Sequence, residues 1–157
     1  MSYPADWSCH TLSPETAEAL MAQARSASER AYAPYSHFRV GAAVRTASGD
    51  VVCGANVENA SYGLTLCAER VALAAAVIQG QAQGIQALAV WGADCDQGAI
   101  TPCGACRQVM AEFLSPETPV IVTEAATGAI RQIPMRQWLP WGFGLPHTDS
   151  SAPGGPD

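Results

Sequence analysis

Three cysteines constrain this chain more than any other feature: Cys67, then Cys103 and Cys106, in the spacing C-x35-C-x2-C, with Glu69 two places after the first. They can act together only if the fold carries Cys67 to the Cys103/Cys106 pair. Cys67 opens an apolar stretch that runs to Gly80, and Thr101-Pro102 caps a second helical pattern that begins at Cys103. Both cysteine groups therefore fall in predicted first turns, where unpaired N–H groups and the helix dipole lower thiol pKa values and favour thiolates. Two helix ends are expected to share one anion-rich site. Three protein ligands suit a catalytic zinc, which keeps its fourth position for water, whereas a structural zinc is closed by four. The open form needs a base nearby, and Glu69 is the candidate.

Other readings of the thiols stay open at this level. A lone C-x-x-C also describes a redox pair or half of a zinc ribbon. The ribbon requires a second C-x-x-C, which is absent, although Cys53 or Cys95 could in principle supply a fourth ligand. Both read as ordinary strand or loop thiols, as does Cys9, and His10, His37 and His147 read as solvated or locally bonded. Six cysteines could form three disulfides, but a chain of 157 residues can bury a core without such staples. Arg70 lies three residues after Cys67, on the same helix face. Three thiolates on a divalent zinc leave a net charge of about −1, which opposes ionisation of a bound water. A guanidinium donating to the sulfurs would compensate, with a plain surface residue as the alternative reading of Arg70.

Composition narrows the function class. The net charge of −6 repels phosphate backbones, and all eight basic residues are arginines scattered from Arg25 to Arg136, so no nucleic-acid partner is expected. No apolar run reaches the roughly 18 residues of a membrane span, and Met1 to Asp6 lack a basic segment followed by an apolar one. A cytoplasmic protein without a membrane partner is expected.

Ser13-Pro14 starts a helix whose buried face is Ala17, Leu20, Met21, Ala24, Ala27 and Ala31, running to about Tyr32 before Pro34. Residues 38–46 and 51–57 form a hairpin around Ala47-Ser48-Gly49-Asp50. A second helix, apolar nearly all round, covers 67–80, a strand 85–91, a third helix 101–114, and further strands 119–123 and 129–133. This order predicts an α/β fold of three layers, α/β/α, with a mixed sheet of about five strands. One domain covers 1–157, with its core at about 12–143 and a Ser, Pro and Gly-rich tail over 147–157 that is expected to be disordered.

Beyond the cysteines, Ala31 to Ala43, Gly54 to Tyr62, Cys67-Ala68-Glu69-Arg70, Pro102 to Val109 and Leu139-Pro140-Trp141-Gly142-Phe143 resemble the homotetrameric zinc-dependent cytidine deaminases. The similarity spans about Leu12 to Phe143. It implies one zinc ion per subunit on Cys67, Cys103 and Cys106, with Glu69 shuttling protons. It further implies a nucleoside site in which Asn56 and Glu58 hold the ribose 3′-hydroxyl, Phe38 packs on the pyrimidine, Ala68 lines the substrate, and Phe143 closes a neighbouring subunit's site. Independently, N-x-E in a strand places Asn56 and Glu58 on one face as a polar pair, or simply on an exposed face. The implied reaction is hydrolysis of cytidine and 2′-deoxycytidine to uridine and 2′-deoxyuridine in pyrimidine salvage. Trp141 stands where the L-P-x-x-F element usually has a small residue. A deaminase of another substrate, such as blasticidin S or a nucleotide, would alter the sugar pair, and a zinc-stabilised binding module would not need Glu69.

Overall fold

A computed structural model describes residues 10–92, 100–124 and 127–144. Cys9, Cys95, His147 and the tail at 147–157 lie outside the described residues. Helix α1 spans Pro14–Ser28, capped by Ser13, whose hydroxyl accepts from Thr16 N, with proline in its first turn. Strands β1 (Val40–Arg45) and β2 (Val51–Ala55) form the expected hairpin, followed by a single 3-10 turn at Tyr62–Leu64 and helix α2 at Ala68–Ile78. The chain continues through β3 (Ala87–Gly92), α3 (Gly104–Phe113), β4 (Pro119–Thr123), β5 (Ile130–Pro134) and a one-turn α4 (Met135–Trp138).

The five strands make one sheet in the order β2-β1-β3-β4-β5, with β3 and β4 parallel and every other pair antiparallel. Period-two alternation divides its side chains between two cores. Ala43, Ala87, Ala89 and Ile121 pack under α1 with Ala17, Leu20, Met21 and Ala24. Ala42, Val44, Leu88, Val90, Val120 and Val122 point the other way, onto Ala72 and Leu73 of α2 and Cys106 and Met110 of α3. The three-layer α/β/α reading holds.

Element ends differ from expectation where tertiary pairing intervenes. Helix α1 stops at Ser28, short of Tyr32, because Tyr32 N donates to Asn56 O (3.0 Å) and Glu58 N donates to Tyr32 O (2.8 Å). Tyr32 is thus committed to an isolated bridge with Val57, which also pairs with Leu66. Asn56 to Glu58 consequently lie beyond the sheet, not on a strand face, and are tied through Val57 to Leu66, the residue before Cys67.

Candidate active site

Close helix packing sets the position of the first cysteine. Gly54 on β2 faces α2, and a methyl group there would stand 2.4 Å from Ala72 N and 2.6 Å from Ala68 O. Only glycine lets the first turn of α2 lie against the edge strand. Ala68, the first residue of that helix, is fully buried, and Cys67 is its N-cap. Cys103 occupies the same place on α3, and Cys106 lies within the first turn, fully buried. Neither capping cysteine makes a side-chain cap hydrogen bond, so neither thiol takes up the helix amides that a Ser or Asp would satisfy.

The fold brings the three sulfurs within 4.8 Å of one another, and Cys67 Sγ lies 3.9 Å from Cys103 Sγ. Tetrahedral zinc with bonds of about 2.3 Å would place its sulfurs about 3.8 Å apart. The donor set and spacing therefore fit zinc. Cys67, Cys103, Cys106 and Cys53 are free thiols, which excludes a disulfide framework among the described residues. Cys53 sits on β2 near Gln23 O, outside the cluster, and so is not a fourth ligand.

The cluster is electrically uneven. A hydrogen bond from Cys106 draws the Cys67 thiol down to about 5 against the opposing effect of burial, and Arg70 adds to the fall. Cys106, as donor in that bond and itself buried, is pushed upward. Arg70 Nη2 donates to Thr65 O at 2.7 Å and approaches Cys67 Sγ at 3.7 Å. Thr65 thereby aims the guanidinium at the thiolate, while Arg70 Nε is buried with no protein partner. Arg70 is not a plain surface residue. Glu69 is only 4% exposed, and burial raises its carboxyl pKa, with a smaller opposing pull from its own backbone amide. A carboxyl pushed upward by burial holds a proton more readily than an exposed one, the direction that general acid–base chemistry requires.

The polar pair is buried as well, but its hydrogen bonds already have partners. Asn56 Oδ1 accepts from Val40 N (2.8 Å) and its Nδ2 donates to Phe38 O (2.9 Å). Glu58 accepts from Tyr35 N (2.9 Å), Ser36 N (3.2 Å) and the Ser36 hydroxyl, and these bonds, the hydroxyl's foremost, hold its pKa down. The two side chains grip the loop from Tyr35 to Val40, and with it Phe38, which remains 39% exposed. Asn56 keeps one acceptor and one donor position for a further partner, and Glu58 keeps an acceptor position on Oε1. Ser36 and Thr65 were not singled out from sequence, since a hydroxyl or a backbone carbonyl that aims a neighbour has no pattern of its own. Phe143 is 72% exposed and lines a pocket of about 260 Å³ with Ala111, Leu114, Met135 and Leu139, none of them a thiol.

Residues 14–122 match the family described as the cytidine and deoxycytidylate deaminase zinc-binding region. The cytidine deaminase of Halalkalibacterium halodurans is 48% identical over 124 residues, 79% of this chain and 91% of that protein. That of Sporosarcina psychrophila is 44% identical over 126 residues, 80% and 90% of the two chains. Among solved structures, the cytidine deaminase of Burkholderia pseudomallei superposes with a TM-score of 0.74 at 48% identity, covering 80% of this chain and 98% of that one.

Proposed function

The chain belongs to the cytidine and deoxycytidylate deaminase family, and from that premise we propose that it hydrolyses cytidine and 2′-deoxycytidine to uridine and 2′-deoxyuridine plus ammonia, serving pyrimidine salvage. The observation that carries this reading is the gathering of Cys67, Cys103 and Cys106 within 4.8 Å, with the buried Glu69 two residues from Cys67. These thiols would hold one zinc ion per chain, which when bound acts as a Lewis acid and makes water nucleophilic near neutral pH. Glu69 does the proton work. Its carboxylate accepts a proton from the attacking water and delivers it to ring N3 as C4 is attacked; it then takes the remaining proton of the new C4 hydroxyl and passes it to the 4-amino group, which leaves as ammonia as the C4 carbonyl forms. Arg70 offsets the excess negative charge of three thiolates from its place against Cys67. Asn56 and Glu58 offer their remaining hydrogen-bond positions to the 3′-hydroxyl, and Phe38, on the loop they hold, packs on the pyrimidine, with Ala68 in the wall.

The direct test is the ultraviolet absorbance of cytidine and deoxycytidine incubated with the zinc-loaded protein, because deamination changes the base chromophore. No change with either nucleoside, in protein carrying a full zinc complement, would reject the assignment. Turnover of dCMP or blasticidin S alone would redirect it to another substrate.

The working form in this reading is a homotetramer of single-domain chains in the cytoplasm, with Phe143 covering a neighbouring subunit's pyrimidine. Support comes from the large apolar side chains Tyr62, Ile78, Trp141 and Phe143, each more than 70% exposed and available to a subunit interface, where aromatic residues are common anchors. The free thiols suit a reducing compartment, and among the described residues no helix is long and apolar enough to cross a membrane. Mixing Glu69→Gln with Phe143→Ala under subunit exchange should raise activity above the average of the parents. No rise, with exchange verified and Phe143→Ala impaired alone, would confine Phe143 to its own domain.

A further inference from the structure

Arg107 follows Cys106 directly and stands four residues after Cys103, yet no step of the chemistry above uses it. Its backbone N–H donates to Cys103 O (2.9 Å), the first hydrogen bond of α3. The side chain folds back past the start of its own helix, so that Nε donates to Pro102 O at 2.8 Å. That carbonyl belongs to the peptide leading into Cys103. Holding it fixes the extended backbone of Cys103 (φ −67°, ψ 165°) and so the direction of its thiol.

The other end of the guanidinium reaches a different segment. Nη1 donates to Trp138 O at 3.4 Å, and the guanidinium carbon lies 5.3 Å from the centre of the Trp138 ring. Trp138 is itself fixed, 8% exposed, with its indole N–H donating to Ile133 O (3.3 Å). From Trp138 the chain runs out to Phe143, and there the neighbour of Arg107 takes hold, since Gln108 Nε2 donates to Phe143 O at 2.8 Å. The described partners of Arg107 are two carbonyls and a ring rather than a carboxylate, a use of the planar fork for geometry.

We propose that Arg107 is a positioning residue that ties the Cys103 turn to the segment carrying Phe143, so that zinc retention and nucleoside capture depend on one side chain, with Gln108 serving the Phe143 end alone. This rests on the assignment above of the thiols to zinc and of Phe143 to substrate. Lysine keeps the charge of Arg107 but cannot hold two carbonyls and stack on an indole at once. Two readouts are measured on the intact zinc-loaded protein: the rate of zinc loss to a chelator, followed with a colorimetric zinc indicator, and KM against kcat for cytidine.

Arg107→Lys is expected to lose zinc about tenfold faster, the lower range for groups that orient metal ligands. Its KM should rise about fivefold, as for one lost hydrogen bond. Gln108→Ala should raise KM similarly and leave zinc loss as in the wild type. A lowered melting temperature in Arg107→Lys with zinc loss and KM both unchanged would reduce Arg107 to a stabilising residue and overturn the proposal. Faster zinc loss without a change in KM, or equal zinc loss from both variants, would overturn the coupling. Wild-type protein that holds no zinc or leaves cytidine unchanged would overturn the deaminase reading itself, and the coupling with it.

Discussion

Helix α1 on one face of the sheet and helices α2 and α3 on the other begin in opposite ways. Ser13 caps α1 through Thr16 N, Pro14 opens it, and Glu15 sits in its first turn. The caps of α2 and α3 are Cys67 and Cys103, neither of whose side chains bonds its own helix. A buried carboxyl at Glu69 and an unpartnered Arg70 Nε accumulate on that side alone among the described residues. Local rules are obeyed where the helix only supports the sheet and set aside where first turns must present ligands and a base. The lesson is that an uncapped helix start beside a buried acid marks chemistry, whereas a well-capped one marks scaffold.

The contrast predicts where function and stability part company. Cys106→Ala should lose zinc and all measurable deamination, because three ligands are the minimum for this geometry. A full zinc complement and normal turnover in this variant, by metal analysis and absorbance assay, would end the thiol assignment. Next in size, Glu69→Gln should keep zinc and lose about 10²- to 10⁴-fold in rate. Its stability should not suffer. Burial raises the folded-state pKa of Glu69 above its unfolded value of about 4.3, so the folded state binds more protons there. In zinc-free protein the stability due to neutral Glu69 is complete below that unfolded value and lost as pH rises through the raised one. Glu69→Gln should flatten this loss, and a pH series of melting temperatures that falls equally in both proteins would contradict the buried acid.

The scaffold face was the more legible in the sequence. Ala17, Leu20, Met21 and Ala24 repeat at helical spacing after a capping pattern, and nothing competes with that reading. The thiols and Glu69 were also readable, because ligand spacing and the apolar run of α2 point the same way. Less visible was Tyr32, whose helical spacing yields to a bridge with a residue 25 positions later in sequence. The pair Asn56 and Glu58 was found, but its hold on Tyr35, Ser36, Phe38 and Val40 was not, since side chains that grip a hydroxyl and those that grip a loop are chemically the same. Helix α4 has four residues, too few for any period to show.

A matched pair of glycines sharpens the contrast. At Gly41 a methyl would stand 1.9 Å from Ala24 O of α1, and at Gly54 it would stand 2.4 Å from Ala72 N of α2. Both clashes are with helix backbone, which cannot swing away like a flexible side chain. Each Gly→Ala variant should lose about 1–3 kcal/mol, seen as a lower denaturation midpoint. Gly54→Ala alone should also release zinc faster, because the displaced helix carries Cys67 and Glu69. Equal effects of the two variants on zinc release would show that the sheet transmits strain between its faces.

The smallest effect is expected at the α1 cap. Ser13→Ala removes the acceptor of Thr16 N and a hydroxyl contact with Thr16 Oγ1 at 3.0 Å. Loss of such a cap costs about 1 kcal/mol. The neighbouring Glu15 limits the damage, since its carboxylate, held low in pKa by its own backbone N–H and by Ser13, keeps negative charge at the same helix end. For a chain of this size the melting temperature should fall by about 2–4 °C. Ser13→Asp should restore it, as aspartate caps equally well. Zinc release, KM and kcat should match the wild type in both variants, because α1 touches the face of the sheet away from the thiols. A change in zinc release or KM at unchanged melting temperature would make α1 part of the site and dissolve the distinction between the two faces.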